Sequence, residues 1–103
     1  MTASHCIERR LGDPGSVFVV AGAHNKDDKS EQSQQKIQAR RIFKHPQYKQ
    51  RGGLSDDVAL IELSSPLQLN DRVVKSCMPS VGVYPEAGKN CYLAGKIFLE
   101  LMN

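Results

Sequence analysis

The chain has no tryptophan, and its aromatic content stops at three Phe and three Tyr among 103 residues. A core built from it is light, and 40% hydrophobic content suits one modest domain. No apolar run approaches the roughly 20 residues that a membrane-spanning helix needs, and no internal repeat is present. No charged-then-apolar secretory segment opens the sequence, so a signal peptide is either absent or outside this segment. Cysteine is sparse and odd in number: Cys6, Cys77 and Cys91 stand too far apart for the paired spacing of a zinc site. They read as reduced thiols or as disulfide halves whose partners are missing, and the count alone does not choose.

Charge excludes another class. The formal net charge is +3, unevenly placed. Residues 1–52 hold ten Lys/Arg against five Asp/Glu, a net of +5; residues 53–103 hold four against six, a net of −2. The basic clusters Arg9-Arg10 and Arg40-Arg41 are short and lack interleaved aromatics, so they read as solvated faces and not as a nucleic-acid surface.

What is present is a series of short β segments between turn signals. Gly12-Asp13-Pro14-Gly15 marks a loop. Residues 16–22 are β-branched and aromatic, and apolar enough to predict a strand covered on both faces. Residues 24–35 are polar and aperiodic, predicting a surface loop. Residues 35–43 alternate, with Ile37, Ala39, Arg41 and Phe43 on one face, Arg41 being the blemish. His45-Pro46-Gln47-Tyr48 begins a turn, and a loop with Gly52-Gly53 at its tip follows. Val58 to Leu63 is the expected central strand, with further strands over 73–77 and 90–95. This pattern predicts an all-β sandwich or barrel. Residues 96–103 form an apolar stretch that fits either a strand or a helical turn.

The chemistry centres on Asp56-Asp57 at the mouth of that central strand. Aspartates often only punctuate a turn, but a half-buried carboxylate needs hydrogen-bond donors or a cation. His5, within Thr2-Ala3-Ser4-His5-Cys6, is the partner that raises interest. His45 reads as a surface turn residue and His24 as an exposed strand exit, and no spacing among the three histidines favours a metal.

Five motifs occur in an order that resembles trypsin-like serine proteases: Thr2-Ala3-Ser4-His5-Cys6, His45-Pro46-Gln47-Tyr48, Asp56-Asp57-Val58-Ala59-Leu60-Ile61-Glu62-Leu63, Ser76-Cys77-Met78-Pro79 and Gly88-Lys89-Asn90-Cys91. The resemblance covers residues 1–95 and implies part of the N-terminal six-stranded antiparallel β-barrel of a chymotrypsin-like double-barrel fold, followed by a divergent tail over 96–103. By motif position, His5 resembles the catalytic base and Asp57 the acid that orients it. Asp56 stands where the family often has Asn. The resemblance implies a secreted endopeptidase acting on protein or peptide substrates, needing no cofactor.

It also implies disulfide partners outside the chain: upstream for Cys6, in a propeptide or light chain for Cys77, and in the second barrel for Cys91. Met1 matches a buried apolar position, which suggests an internal residue of a longer protein. Some relatives bind calcium in the loop between the first two strands. Here Glu31 fits one ligand position while Ala23 and Gln34 replace the flanking acids, so no metal site is expected. The family's nucleophile lies in Gly-Asp-Ser-Gly-Gly, which is absent here. The expectation is a fragment carrying base and acid but inert alone, without its second barrel. The alternatives are a non-catalytic homologue used as an extracellular binding module, or an unrelated small β domain.

Overall fold

In the computed structural model, residues 1–24 and 32–93 are described. Three strands form: β1 (Phe18–Ala21), β2 (Gln35–Lys44) and β3 (Ala59–Leu63). They lie in one antiparallel sheet in the order β1-β2-β3. Among the described residues helical structure is limited to a single turn, α1 (Ser4–Ile7), and 3₁₀ turns at Glu8–Arg10 and Pro14–Ser16. The architecture is all-β. Within the described residues it is an open three-stranded sheet, a segment and not a closure of the six-stranded barrel.

The sheet is founded on β2, the longest strand and the partner of both others. β1 pairs with its first half, from Phe18 opposite Gln38 to Ala21 opposite Gln35. β3 pairs with the remainder, from Ala39 opposite Leu63 to Lys44 opposite Ala59. Between Ala39 and Arg41 the register slips, because two steps along β2 meet one step along β3. Arg40 is the extra residue of a β-bulge, which reverses the facing of everything after it. The predicted alternation therefore holds only as far as Ala39, which is buried. Beyond it Ile42 turns to the sheltered side and Phe43 to solvent. The apparent blemish at Arg41 is thereby resolved: its guanidinium reaches across to Glu62, with Nε 2.5 Å from Oε2 and Nη2 3.0 Å from Oε1. That pairing holds the Glu62 carboxyl below its usual range.

The core is small, as the scarcity of aromatics predicts. Ile7, Ala39, Tyr48, Ala59 and Val73 are its buried apolar members. Several expectations are corrected. The first strand is not covered on both faces: Phe18 and Val20 are exposed, because β1 is an edge strand with no second layer over it among the described residues. Residues 73–77 form no strand. The Val73 amide bonds back to Asn70, whose side chain also takes the Arg72 and Val73 N–H groups. That Asx turn spends the donors a ladder would need, and Val74 and Met78 are left exposed. Asn90 to Leu93 are likewise outside any strand, with Tyr92 and Leu93 exposed. Met1 is exposed rather than buried. The rest of that last segment, the tail and Glu31 lie outside the described residues.

Gly22 ends β1 at φ +72°, a left-handed conformation that favours glycine. Ser33 Oγ donates to the Gly22 carbonyl at 2.8 Å, and a Cβ at Gly22 would lie 2.2 Å from the Ser33 carbonyl oxygen. Gly22→Ala is therefore expected to lower stability by more than about 1 kcal/mol, combining backbone strain with a steric clash. Urea denaturation followed by circular dichroism checks this, and an unchanged midpoint contradicts it.

Candidate active site

The segment before α1 is tied to the start of β3 by one short ladder. Thr2 and Ala59 exchange both backbone hydrogen bonds, at 2.9 and 2.8 Å. This fixes the segment before α1 against the start of β3. The next tie is Ser4, which is fully buried and donates its hydroxyl to the Val58 carbonyl at 2.6 Å. The same carbonyl accepts the His45 N–H at 3.0 Å. Both lone pairs of one oxygen thus bind α1, the end of β2 and the approach to β3 together.

Between these ties, α1 presents His5. Its own N–H donates to Asp57 Oδ1 at 2.8 Å, and its ring Nδ1 lies 2.5 Å from Asp57 Oδ2. An ionised carboxylate only accepts, so Nδ1 carries the hydrogen, and in the neutral ring Nε2 is then the nitrogen with the lone pair. The carboxylate is mostly sheltered, at 18% exposed, whereas the imidazole is 51% exposed. Desolvation alone pushes the Asp57 carboxyl upward, but the His5 side-chain and backbone hydrogen bonds and the imidazole's charge outweigh it. The net result is a carboxyl held below its ordinary value.

Asp57 is aimed by its neighbour. Asp56 occupies the left-handed region at φ +52°, one of the few non-glycine residue types that visits it readily. Its carbonyl accepts the Val58 N–H at 2.8 Å, closing a sharp turn that swings Asp57 toward α1. The Asp56 carboxylate instead faces Arg51, 3.9 Å from Nε. Of the two acids, only Asp57 meets the imidazole.

The other candidates are placed elsewhere. His45 is half-buried at the head of its turn, where Nδ1 accepts the Gln47 N–H at 3.0 Å. His24 is exposed at the end of β1. Among the described residues no group of three or more His, Cys, Asp or Glu is gathered closely enough to hold a metal ion. Cys6, Cys77 and Cys91 are exposed and unbonded to one another.

Sequence reasoning missed three features. Ser4 stands in no nucleophile context, yet its burial and hydroxyl are what seat α1. Tyr48 is buried with no hydrogen-bond partner for its hydroxyl among the described residues, and Lys49 Nζ stands 5.1 Å over the ring while it reaches Glu8 at 3.3 Å. Burial raises the Tyr48 hydroxyl above its ordinary value, with the Lys49 ammonium opposing. The third is a 3.5 Å approach of Cys6 Sγ to His5 Nε2. Only the first had a signal, a small hydroxyl residue one step before the histidine.

Two outcomes are expected. Ser4→Ala should cost about 1 kcal/mol, the net worth of a typical hydrogen bond, since Val58 keeps its bond from His45. Denaturant titration reads that loss. The second concerns pH. Asp57 has a lowered folded value, so its contribution is fully present above the ordinary carboxyl value of about 4. It is lost as pH falls through the lowered value. The wild-type advantage over Asp57→Asn in unfolding midpoint should therefore shrink as pH falls below about 4. An advantage that persists undiminished at the most acid pH the fold survives contradicts the assignment.

Comparison with known proteins bears on this arrangement. The Trypsin family profile matches residues 1–96. Chymotrypsin-like elastase family member 1 of Felis catus is 29% identical over 96 residues, covering 92% of this chain and 34% of that protein. The chain thus spans about a third of the length of the relative it matches. With the profile covering nearly all of the sequence, the chain belongs to the trypsin family of serine proteases.

Proposed function

We propose that this chain supplies the base and the orienting acid of a serine endopeptidase acting on protein or peptide substrates. The observation that carries the reading is the His5–Asp57 couple, with Nδ1 held at 2.5 Å and the imidazole open to solvent on its other side. A serine hydroxyl is a weak nucleophile until a base removes its proton as it attacks. In the neutral ring His5 Nε2, which has Cys6 Sγ 3.5 Å away, carries the lone pair for that step, and Asp57 stabilises the imidazolium that results. The proton then passes to the leaving amine, and water repeats the sequence on the acyl-enzyme. Asp57 stays ionised throughout, as its lowered carboxyl value favours.

No serine of this chain stands in the Gly-Asp-Ser-Gly-Gly context of the family's nucleophile. We therefore assign residues 1–95 to a partial peptidase domain and 96–103 to a divergent tail, with the nucleophile on a second barrel of the parent protein. The 103-residue chain alone is inert in this reading. The couple argues against a pure binding module, because a carboxylate that orients an exposed imidazole serves no static interface. Family membership supports an extracellular setting, in which Cys6, Cys77 and Cys91 pair with cysteines beyond this segment. Among the described residues no helix is long and apolar enough to cross a membrane.

The experiment is a peptide-hydrolysis assay on the purified 103-residue chain and on the longer parent read from the full transcript. The chain alone should show no turnover. The parent should turn over, and His5→Ala and Asp57→Asn should each lower kcat by about 10⁴-fold, the scale seen when such a triad loses its acid. A parent that retains its rate in Asp57→Asn, or lacks a Gly-Asp-Ser-Gly-Gly stretch, overturns the proposal.

A further inference from the structure

The face of β1 and β2 turned away from Ala39 is uncovered among the described residues, and its side chains are of two kinds. Register sets Phe18 opposite Gln38 and Val20 opposite Lys36, so these four share one face, and Arg40 continues it past Gln38. Phe18 and Val20 are 48% and 45% exposed, whereas Val19 and Ala39 on the opposite face are sheltered. The two strands hold Lys36, Arg40, Arg41 and Lys44 and no acid. Lys36 Nζ lies 4.6 Å over the Phe18 ring and meets no carboxylate among the described residues. Arg41 takes both oxygens of Glu62, which leaves Arg40 with a looser 3.8 Å approach to Oε1.

Apolar area and positive charge are thus interleaved, and each excludes a class of partner. A sulfated sugar or a nucleic-acid backbone matches the cations but gives Phe18 and Val20 nothing to pack against. A purely apolar partner desolvates Lys36 and Arg40 without a counter-charge. A polypeptide in which acidic and apolar side chains alternate satisfies both demands.

We propose that the outer face of β1 and β2 is a docking surface for an acidic, apolar-bearing segment of a partner protein. Phe18 and Val20 form its apolar floor, and Lys36 and Arg40 supply the counter-charges. None of these four side chains touches the His5–Asp57 couple, so the surface stands whether or not the parent hydrolyses peptides. Its ion pairs are solvent-exposed, so binding weakens as salt is raised, while the apolar contacts leave a residual affinity.

The test follows binding of a short fluorescein-labelled peptide, alternating Glu with Leu, to the 103-residue chain by fluorescence anisotropy. Lys36→Glu combined with Arg40→Glu should weaken it at least about 10-fold, the scale of two surface charge pairs lost and reversed. Phe18→Ser should weaken it about 5-fold, as loss of an aromatic anchor does. Lys75→Glu combined with Lys89→Glu makes the same change in net charge at exposed positions outside the sheet and should leave binding unaltered. Circular dichroism checks that each variant keeps its sheet, and two altered peptides test the same point without touching the protein. Replacing every Glu by Gln, or every Leu by Ser, should each abolish most of the binding. Equal binding of either altered peptide overturns the proposal. So does displacement of the peptide by heparin with no effect of Phe18→Ser, which marks a plain polyanion surface. A longer parent that fails to bind the peptide places its own remaining chain over this face and overturns it as well.

Discussion

The arrangement depends on a two-residue ladder, the reciprocal bonds between Thr2 and Ala59. His5 and Asp57 are separated by most of the sheet in sequence, and nothing local to either brings them together. The ladder does so by setting the backbone before α1 against the entrance of β3, three residues from the histidine and two from the aspartate. The Val58 carbonyl completes the attachment by accepting from Ser4 and His45 at once. Packing beside it rests on a small buried apolar set, five residues among those described. The site is therefore held chiefly by directional bonds, whose geometry is fixed to tenths of an ångström in a way that apolar contact is not.

Asp57 shows how local strain and distant contact cooperate. A left-handed Asp56 turns the chain so that the next side chain leaves the strand direction. That conformation is tolerable for a short polar residue and costly for a β-branched one. The aspartate so exposed to desolvation would by itself favour protonation. Two donors from a single residue, one backbone and one ring, reverse that preference and fix the ring's tautomer in the same act. Electrostatics and orientation are one interaction here.

The strand series was legible where period and composition agreed. Residues 35–43 and 58–63 read as strands because alternating or β-branched runs ended at Pro or Ser clusters, and strands formed there over Gln35–Lys44 and Ala59–Leu63. The pairing of His5 with Asp57 was legible only through motif order, since no periodicity links positions so far apart. The bulge at Arg40 was not legible, because alternation continues on paper through residue 43 and only the partner strand reveals the slip. Residues 73–77 misled for a different reason. Valine-rich composition gives strand propensity, but a strand also needs a neighbour, and Asn70 had already claimed the amide. The β1 faces misled because covering layers are properties of the whole assembly and not of a seven-residue window.

The extra residue at Arg40 has a consequence for how the sheet and the couple are linked. A strand that changes facing midway acts as a gear between two frames of reference, one set by the hairpin with β1 and the other by the ladder with β3. Removing that residue would make Ala39–Leu63 and Arg41–Glu62 consecutive regular pairs and leave Arg41 to Lys44 on the faces they already occupy. What would be lost is the local bend and added twist that the extra residue puts into β2. His45, next in line, donates to the same Val58 oxygen that seats Ser4, so the direction in which β2 arrives there bears on how α1 is seated.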